Sequence, residues 1–281
     1  MRNALSVDVE DWFQVGAFET VIARDAWASC EDRVARNGDA VLALFDRAGV
    51  KGTFFTLGCV AARHPALIRK IVAAGHEIAS HGWDHKRVFT LTPDAFRADL
   101  AQARAAIEDA GGARVTGYRA PSFSIDTRTP WAHAVLAEAG YAYSSSVAPV
   151  KHDHYGWPES PRHVWRPLAD SALIELPVTT ARIGGRTLAA GGGGFFRLLP
   201  YAFSRWAIRR ANGQEGRPAI FYFHPWEIDP EQPRVAQAPL RSKLRHYSRL
   251  AEMEGKLERL LREFRWDRTD VVAAEQAATL S

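Results

Sequence analysis

Short apolar runs alternate with longer stretches of helical periodicity through the first half of the 281-residue chain. Residues 4–9 are apolar or small except for Asp8 and read as a buried strand, followed at once by Glu10 and Asp11. Residues 39–48 place Val41, Leu42, Leu44 and Phe45 at helical spacing, with Asp39 as a cap and Gly49 as the stop. A strand at 50–57, a helix at 60–74 ended by Gly75 and a strand at 76–80 repeat the pattern. It recurs as helix 93–110 closed by Gly111 and Gly112, strand 114–118, helix 129–139 closed by Gly140, and strand 141–145. Strands alternating with helices of this length imply parallel βαβ units. No glycine-rich phosphate loop comes after the first strand, which favours a barrel over a dinucleotide-binding sheet.

Beyond residue 146 the periodicity loosens. Residues 152–158, with His152, Asp153 and His154, read as a loop, 173–178 as a strand, and Gly191 to Gly194 as a mobile or close-packed turn. A clear strand at 219–224 ends in His224. Residues 240–264 predict one long amphipathic helix, and the C-terminal end of the chain beyond it reads as an ordinary tail. No linker or repeat divides the chain, so the expectation is a single domain over 1–281, with a core of about 1–227 and a C-terminal extension of about 228–281.

Composition changes this picture little. With 47% hydrophobic and 24% charged residues the chain is of ordinary globular make-up, and its excess of +4 comes mostly from scattered Arg without a nucleic-acid-binding motif. Cys30 and Cys59 have no ligand-like spacing and indicate no disulfide framework. No signal-peptide h-region and no apolar run of bilayer length is present, which sets the expectation of a cytoplasmic protein, working in solution or at the inner membrane face.

The chemistry sits at strand ends. Asp8 and Glu10 share one face of the first strand, and a metal ion is the usual remedy for converging carboxylates. His81 and His85 are four apart, which on a helical turn aims both at one ion. With a carboxylate they make a two-His, one-carboxylate site open to water and substrate. Arg119 comes directly after a strand and can hold Asp8 through a bidentate pair, while His224 ends the late strand as a candidate general acid.

Together these motifs resemble the NodB-like polysaccharide deacetylases (carbohydrate esterase family 4). The residues that carry the likeness are the carboxylate strand, 81–85, 119–123 and the late strand ending in His224. Residues 6–15, 119–124 and 221–227 are similar to the branch associated with exosortase exopolysaccharide loci. The resemblance implies an α/β fold, a distorted (β/α) barrel with a C-terminal helical extension. It also implies one divalent ion, commonly zinc, and hydrolysis of N-acetyl groups on an amino-sugar polysaccharide or its lipid-linked precursor. Carried over by position, Asp8 is the general base, Arg119 its orienting partner, His224 the general acid, and His81 and His85 metal ligands. Strand alternation favours Glu10 as the carboxylate ligand, with Asp11 as the fallback, since Val9 separates what are adjacent aspartates in the family. Pro121, Ser122, Phe123 and Trp226 are expected to bind substrate, with an oxyanion donor near Ser122 and Phe123. No counterpart to the family's fourth motif is found near 143–146, so the acidic partner of His224 is open between Asp170 and Glu175. The exopolysaccharide biosynthesis machinery is the implied partner. Two rival readings stand beside this one: another C–N amide hydrolase on the same fold, and a non-catalytic glycan-binding protein.

Overall fold

In the computed structural model, which describes residues 1–151 and 155–280, the first two thirds of the chain show the alternation read above. The order is β1 (Asn3–Val9), α1 (Val34–Ala48), β2 (Thr53–Thr56), α2 (Gly58–Arg63), α3 (Pro65–Ala73), β3 (Glu77–Ser80), α4 (Pro93–Gly111), β4 (Gly117–Tyr118), α5 (Ala132–Glu138), β5 (Tyr143–Ser144) and β6 (Ile174–Glu175). Next come a hairpin, β7 (Thr180–Ile183) and β8 (Arg186–Ala189), then α6 (Gly193–Leu198), α7 (Tyr201–Arg209), β9 (Ile220–Phe223), α8 (Leu240–Tyr247), α9 (Leu250–Glu263), β10 (Trp266–Asp267) and α10 (Thr269–Ala277). The expected loop at His152, Asp153 and His154 lies outside the described residues.

Eight strands form one parallel sheet in the order β10-β1-β2-β3-β4-β5-β6, and β9 also pairs with β1. The sheet curls into a distorted barrel. Between β6 and β9 the gap is filled by irregular chain: Thr179 N–H donates to Ile220 O, and Gly192 bridges Tyr222. Pleating sorts the side chains. Leu5, Val7 and Val9 pack with Phe54, Ile78 and Phe221 beneath the helices. Ala4, Phe55, Ala79, Tyr143 and Ile220 belong to a second cluster, inside the barrel. Each large apolar side chain buried in this way contributes about 1.5–3 kcal/mol.

Helix limits are set by local chemistry. Thr92 Oγ1 accepts from Ala95 N–H at the start of α4, and Gly49 and Gly112 take left-handed φ of 64° to end α1 and α4. Three expectations are corrected. The helix at 60–74 is two helices, because Pro65 starts α3 afresh after His64 leaves helical geometry. The helix at 240–264 is broken at Arg249, which takes a φ of 57°. The tail contains α10, whose Val272 and Ala273 join the barrel cluster. At its N-terminus, Thr269 N–H donates to Thr53 Oγ1 and Asp270 N–H to Glu77 Oε2, so this helix closes the lower end of the barrel.

Candidate active site

The C-terminal ends of β1, β3, β4 and β9 bring Asp8, His81, Arg119 and His224 to the upper rim of the barrel, where parallel (β/α) barrels carry their chemistry. Glu10, His81 and His85 each offer a ligand atom, all lying within 4.8 Å of one another, and all three side chains are buried. The spacing of 81–85 is right, but the helical turn expected there is absent. The segment is irregular, with Gly82 at φ 76° and His85 at φ 61°. It is braced from below, where Gly58 and Cys59 N–H donate to Gly82 O and Trp83 O at 2.9 and 3.0 Å. Trp83 N–H is accepted by the Asp99 carboxylate, and the Trp83 ring leaves no room for a side chain at Gly58.

The donor set fits a divalent ion. His81 Nδ1–H donates to Arg119 O at 2.8 Å, which fixes the ring and turns Nε2 towards the cluster as a lone pair. Burial pushes the His81 imidazole down to about 4, so it is neutral, as a ligand must be. Glu10 Oε2 is buried and 3.0 Å from His85 Nε2, yet accepts no hydrogen bond, leaving a carboxylate oxygen aimed at the point the imidazoles share. Burial alone would raise Glu10, but His85 and His224 outweigh it and hold the carboxyl at about 2. Glu10 Oε1 is occupied separately by Trp226 Nε1–H at 3.3 Å.

Asp11 is committed elsewhere. Its Oδ2 accepts from Arg33 N–H and Val34 N–H at 2.7 and 3.0 Å, and its Oδ1 from Trp12 N–H, so the carboxylate caps α1. The fallback ligand is therefore corrected to a helix cap.

Flanking the cluster are two further groups. Arg119, wholly buried, donates from Nη1 to Asp8 Oδ1 at 2.7 Å and to Ser6 Oγ. The expected bidentate pair is a single contact, because Nε and Nη2 go to Ser145 O and Oγ. On the opposite side, His224 Nδ1–H donates to Glu227 Oε2 at 3.0 Å, and the same oxygen accepts from His224 N–H. Glu227 Oε1 accepts from Arg197 Nε at 2.8 Å. Burial opposes protonation of His224, but Glu10, Glu227 and Asp8 raise it to about 9, so at neutral pH the imidazole carries a proton. Its Nε2 lies 3.4 Å from Glu10 Oε1.

Glu227 is the acidic partner sequence reasoning left open. Asp170 is exposed, and Glu175 is bonded to Ser146 N–H, Val147 N–H and His133. The signal was present: His224, Pro225 and Glu227 form a capping box, with proline at the first helical position and glutamate three after the cap. The expected substrate contacts need correction. Trp226 is 6% exposed, stacked between His224 and His246 at ring distances of 5.0 and 4.1 Å, and cannot offer a face to a sugar. Pro121 and Phe123 are also buried, and Phe123 N–H is used by Ala120 O rather than free for an oxyanion. Ser122, at φ 55°, is the one of the four that is partly exposed.

Residues 23–144 match the family model described as polysaccharide deacetylase. Over that stretch, less than half of its length, the chain is similar to this family. That match holds His81, His85 and Arg119, while residues 145–274, with His224 and Glu227, match a domain of unknown function, DUF3473. Asp8 and Glu10 precede both. Among curated relatives, the chain is similar to chitooligosaccharide deacetylase of Bradyrhizobium sp., 29% identical over 54% of this chain and 63% of that protein. Chitin deacetylase 1 of Cryptococcus neoformans is 28% identical over 38% of this chain, and the match spans 24% of that relative's length. A candidate polysaccharide deacetylase from Mycobacterium smegmatis shares the fold at a TM-score of 0.66 and 22% identity, over 100% of this chain and 91% of that one.

Proposed function

We propose that the chain is a divalent-metal-dependent hydrolase that removes N-acetyl groups from an amino-sugar polysaccharide or its lipid-linked precursor. One observation carries this reading: a metal-competent triad of Glu10, His81 and His85 flanked by an Arg-held carboxylate and a protonated imidazole. Binding a glycan alone would require neither a base nor an acid beside such a triad. When bound, the ion supplies Lewis-acid polarisation of the acetamide carbonyl and a more acidic water. Asp8, fixed at one oxygen by Arg119, takes the proton from the attacking water. His224 delivers its Nε2 proton to the leaving amine, and Glu227 holds the ring through Nδ1 in the orientation this needs. Trp226 Nε1–H keeps Glu10 Oε1 from rotating, and Glu10 Oε2 remains for the ion.

The reading treats the chain as one unit, since the three parts of the site come from the N-terminal strand, the deacetylase match and the DUF3473 match. Zinc is the proposed ion, and the exopolysaccharide-locus branch and its biosynthesis machinery, reached from inside the cell, are the proposed setting. Motif similarity at 6–15, 119–124 and 221–227 supports the branch. Among the described residues no helix is long and apolar enough to cross a membrane. The test is elemental analysis of the wild type and His81→Ala alongside acetate release from N-acetylated glucosamine oligomers. About one divalent ion per chain, lost together with acetate release in the variant, is expected. A wild type that binds no ion even when zinc is supplied would overturn it.

A further inference from the structure

The excess of positive charge, read from composition as scattered Arg, is in fact concentrated in two stretches of the chain. Residues 176–214 contain six Arg and no acidic residue, and residues 232–251 contain four Arg, one Lys and no acidic residue. Eleven positive charges in these two stretches, against +4 for the whole chain, leave the remainder net negative. The same stretches carry seven of the nine large hydrophobic side chains that the described residues leave exposed. Apart from Arg197, which is buried on Glu227, these cations coincide with exposed apolar groups.

The two stretches are neighbours in the fold. Arg197 on α6 donates to Arg245 O, His246 O and Ser248 O at the end of α8, so the exposed Phe195 and Leu198 of α6 adjoin α8. On α8 the most exposed apolar residues, Leu240 and Leu244 at 72% and 59%, are one turn apart among Arg241, Lys243 and Arg245. The β7–β8 hairpin leans on α7 through Ala181 and Ala207, and leaves Ile183 and Leu188 exposed on the two strands that also carry Arg182 and Arg186. On α7 an open groove of about 280 Å³ is lined by Arg205, Trp206, Arg209 and Arg210. Acidic neighbours offset part of this charge: Arg197 pairs with Glu227 and Arg249 with Glu252, whereas Arg182 and Arg186 have no ion-pair partner among the described residues. Glu263 is shared by Arg205 and Arg209, and Arg210 pairs with Glu215.

We infer that this face docks on an anionic lipid bilayer. Arg side chains with paired leucines, an isoleucine and a tryptophan match the headgroup and upper acyl layer of such a surface, where cations meet phosphates and aliphatic groups leave water. A polyanion such as nucleic acid or an acidic polysaccharide would satisfy the arginines but leave Leu240, Leu244, Ile183 and Leu188 in water. The assignment is independent of the deacetylase reading. Since His246 of α8 stacks on Trp226, the face borders the candidate site.

The test is flotation of the full chain with vesicles of phosphatidylcholine, with and without about 30% phosphatidylglycerol, at about 0.15 M salt. Binding about tenfold stronger to the anionic vesicles is expected, falling about tenfold in Leu240→Ser/Leu244→Ser and again in Arg182→Gln/Arg186→Gln. All four positions are exposed, so circular dichroism and metal content should stay at wild-type values. Equal binding to both vesicles would overturn the inference. So would wild-type binding by the serine variant together with full competition by dextran sulfate, which would mark a polyanion site. A dimer in sedimentation that the serine variant abolishes, without vesicle binding, would assign the face to a second copy and overturn it as well.

Discussion

Adding one methyl group at Gly193 should disable His224 without touching it. A Cβ at Gly193 would lie 2.0 Å from Glu227 Oε2 and 2.7 Å from its carboxyl carbon, where side chains keep at least 3.0 Å. Glu227 is buried against Arg197, so relief has to come from a shift of its carboxylate by about 1 Å, or of α6 with it. That shift stretches the two 3.0 Å contacts to His224 N–H and Nδ1–H beyond hydrogen-bond range. Hydrogen bonds to charged groups contribute about 1.5–3 kcal/mol each, so Gly193→Ala should lose roughly 2–4 kcal/mol of stability after partial relaxation. General acid catalysis contributes about 10²–10⁴-fold, and an imidazole left without its orienting carboxylate should cost turnover about 10²-fold. Gly194→Ala is the built-in control: nothing lies within 4 Å of its Cβ, and a change within about 0.5 kcal/mol is expected. The assays are denaturant unfolding, acetate release and metal content, the last unchanged in both variants because the triad is not in contact with Gly193. Wild-type stability and turnover in Gly193→Ala would falsify the placement of Glu227 behind His224.

Glu10→Gln should lose the ion while keeping its fold, whereas Asp11→Ala should keep the ion and lose about 1–2 kcal/mol from the uncapped start of α1; metal analysis with thermal melts separates the two, and the reverse pattern would exchange their roles. Trp226→Phe preserves much of the stack on His246 but removes the Nε1–H donor to Glu10, so competitive chelation should show metal affinity about tenfold weaker; an unchanged affinity would count against that contact. Burial, reinforced by Asp270, pushes Glu77 up from 4.5 to about 8, so the fold prefers its protonated form. Stability from this group is then fully present below about pH 4.5 and lost as pH rises towards 8. Denaturation midpoints at about pH 5 and 8.5 should therefore fall less with pH in Glu77→Gln than in the wild type, and parallel declines would refute the assignment.

The barrel was legible because its signals are local. Every residue of β1 is buried, and the helix stops at Gly49, Gly112 and Gly140 all have positive φ. Other features depend on partners far away in sequence. The break at Arg249 coincides with capture of the α8 carbonyls by Arg197, a residue some fifty positions upstream. α10 is a weak helix by pattern, and what holds it is docking of its first N–H groups on Thr53 and Glu77. At the site, the spacing of His81 and His85 identified the pair, but Gly82 and the left-handed backbone of His85 set its geometry instead of a helical turn. The substrate contact expected of Trp226 fails because its ring is buried. Its ring serves Glu10 and His224, and burial is invisible in a motif.

β1, which carries Asp8 and leads directly to Glu10, is flanked by β2 and, below it, β10 on one edge and by β9 on the other. During synthesis, β1 therefore waits for residues 220–223 before its second edge is paired. Pairing across such a separation has to close a very long loop, which makes it slow and exposes a hydrophobic strand edge in the meantime. Asp8 and Glu10 consequently reach their mature positions late, so a ribosome-bound chain stopped before β9 would hold His81, His85 and Arg119 without the edge that positions the carboxylates. For this topology, catalytic competence waits on β9.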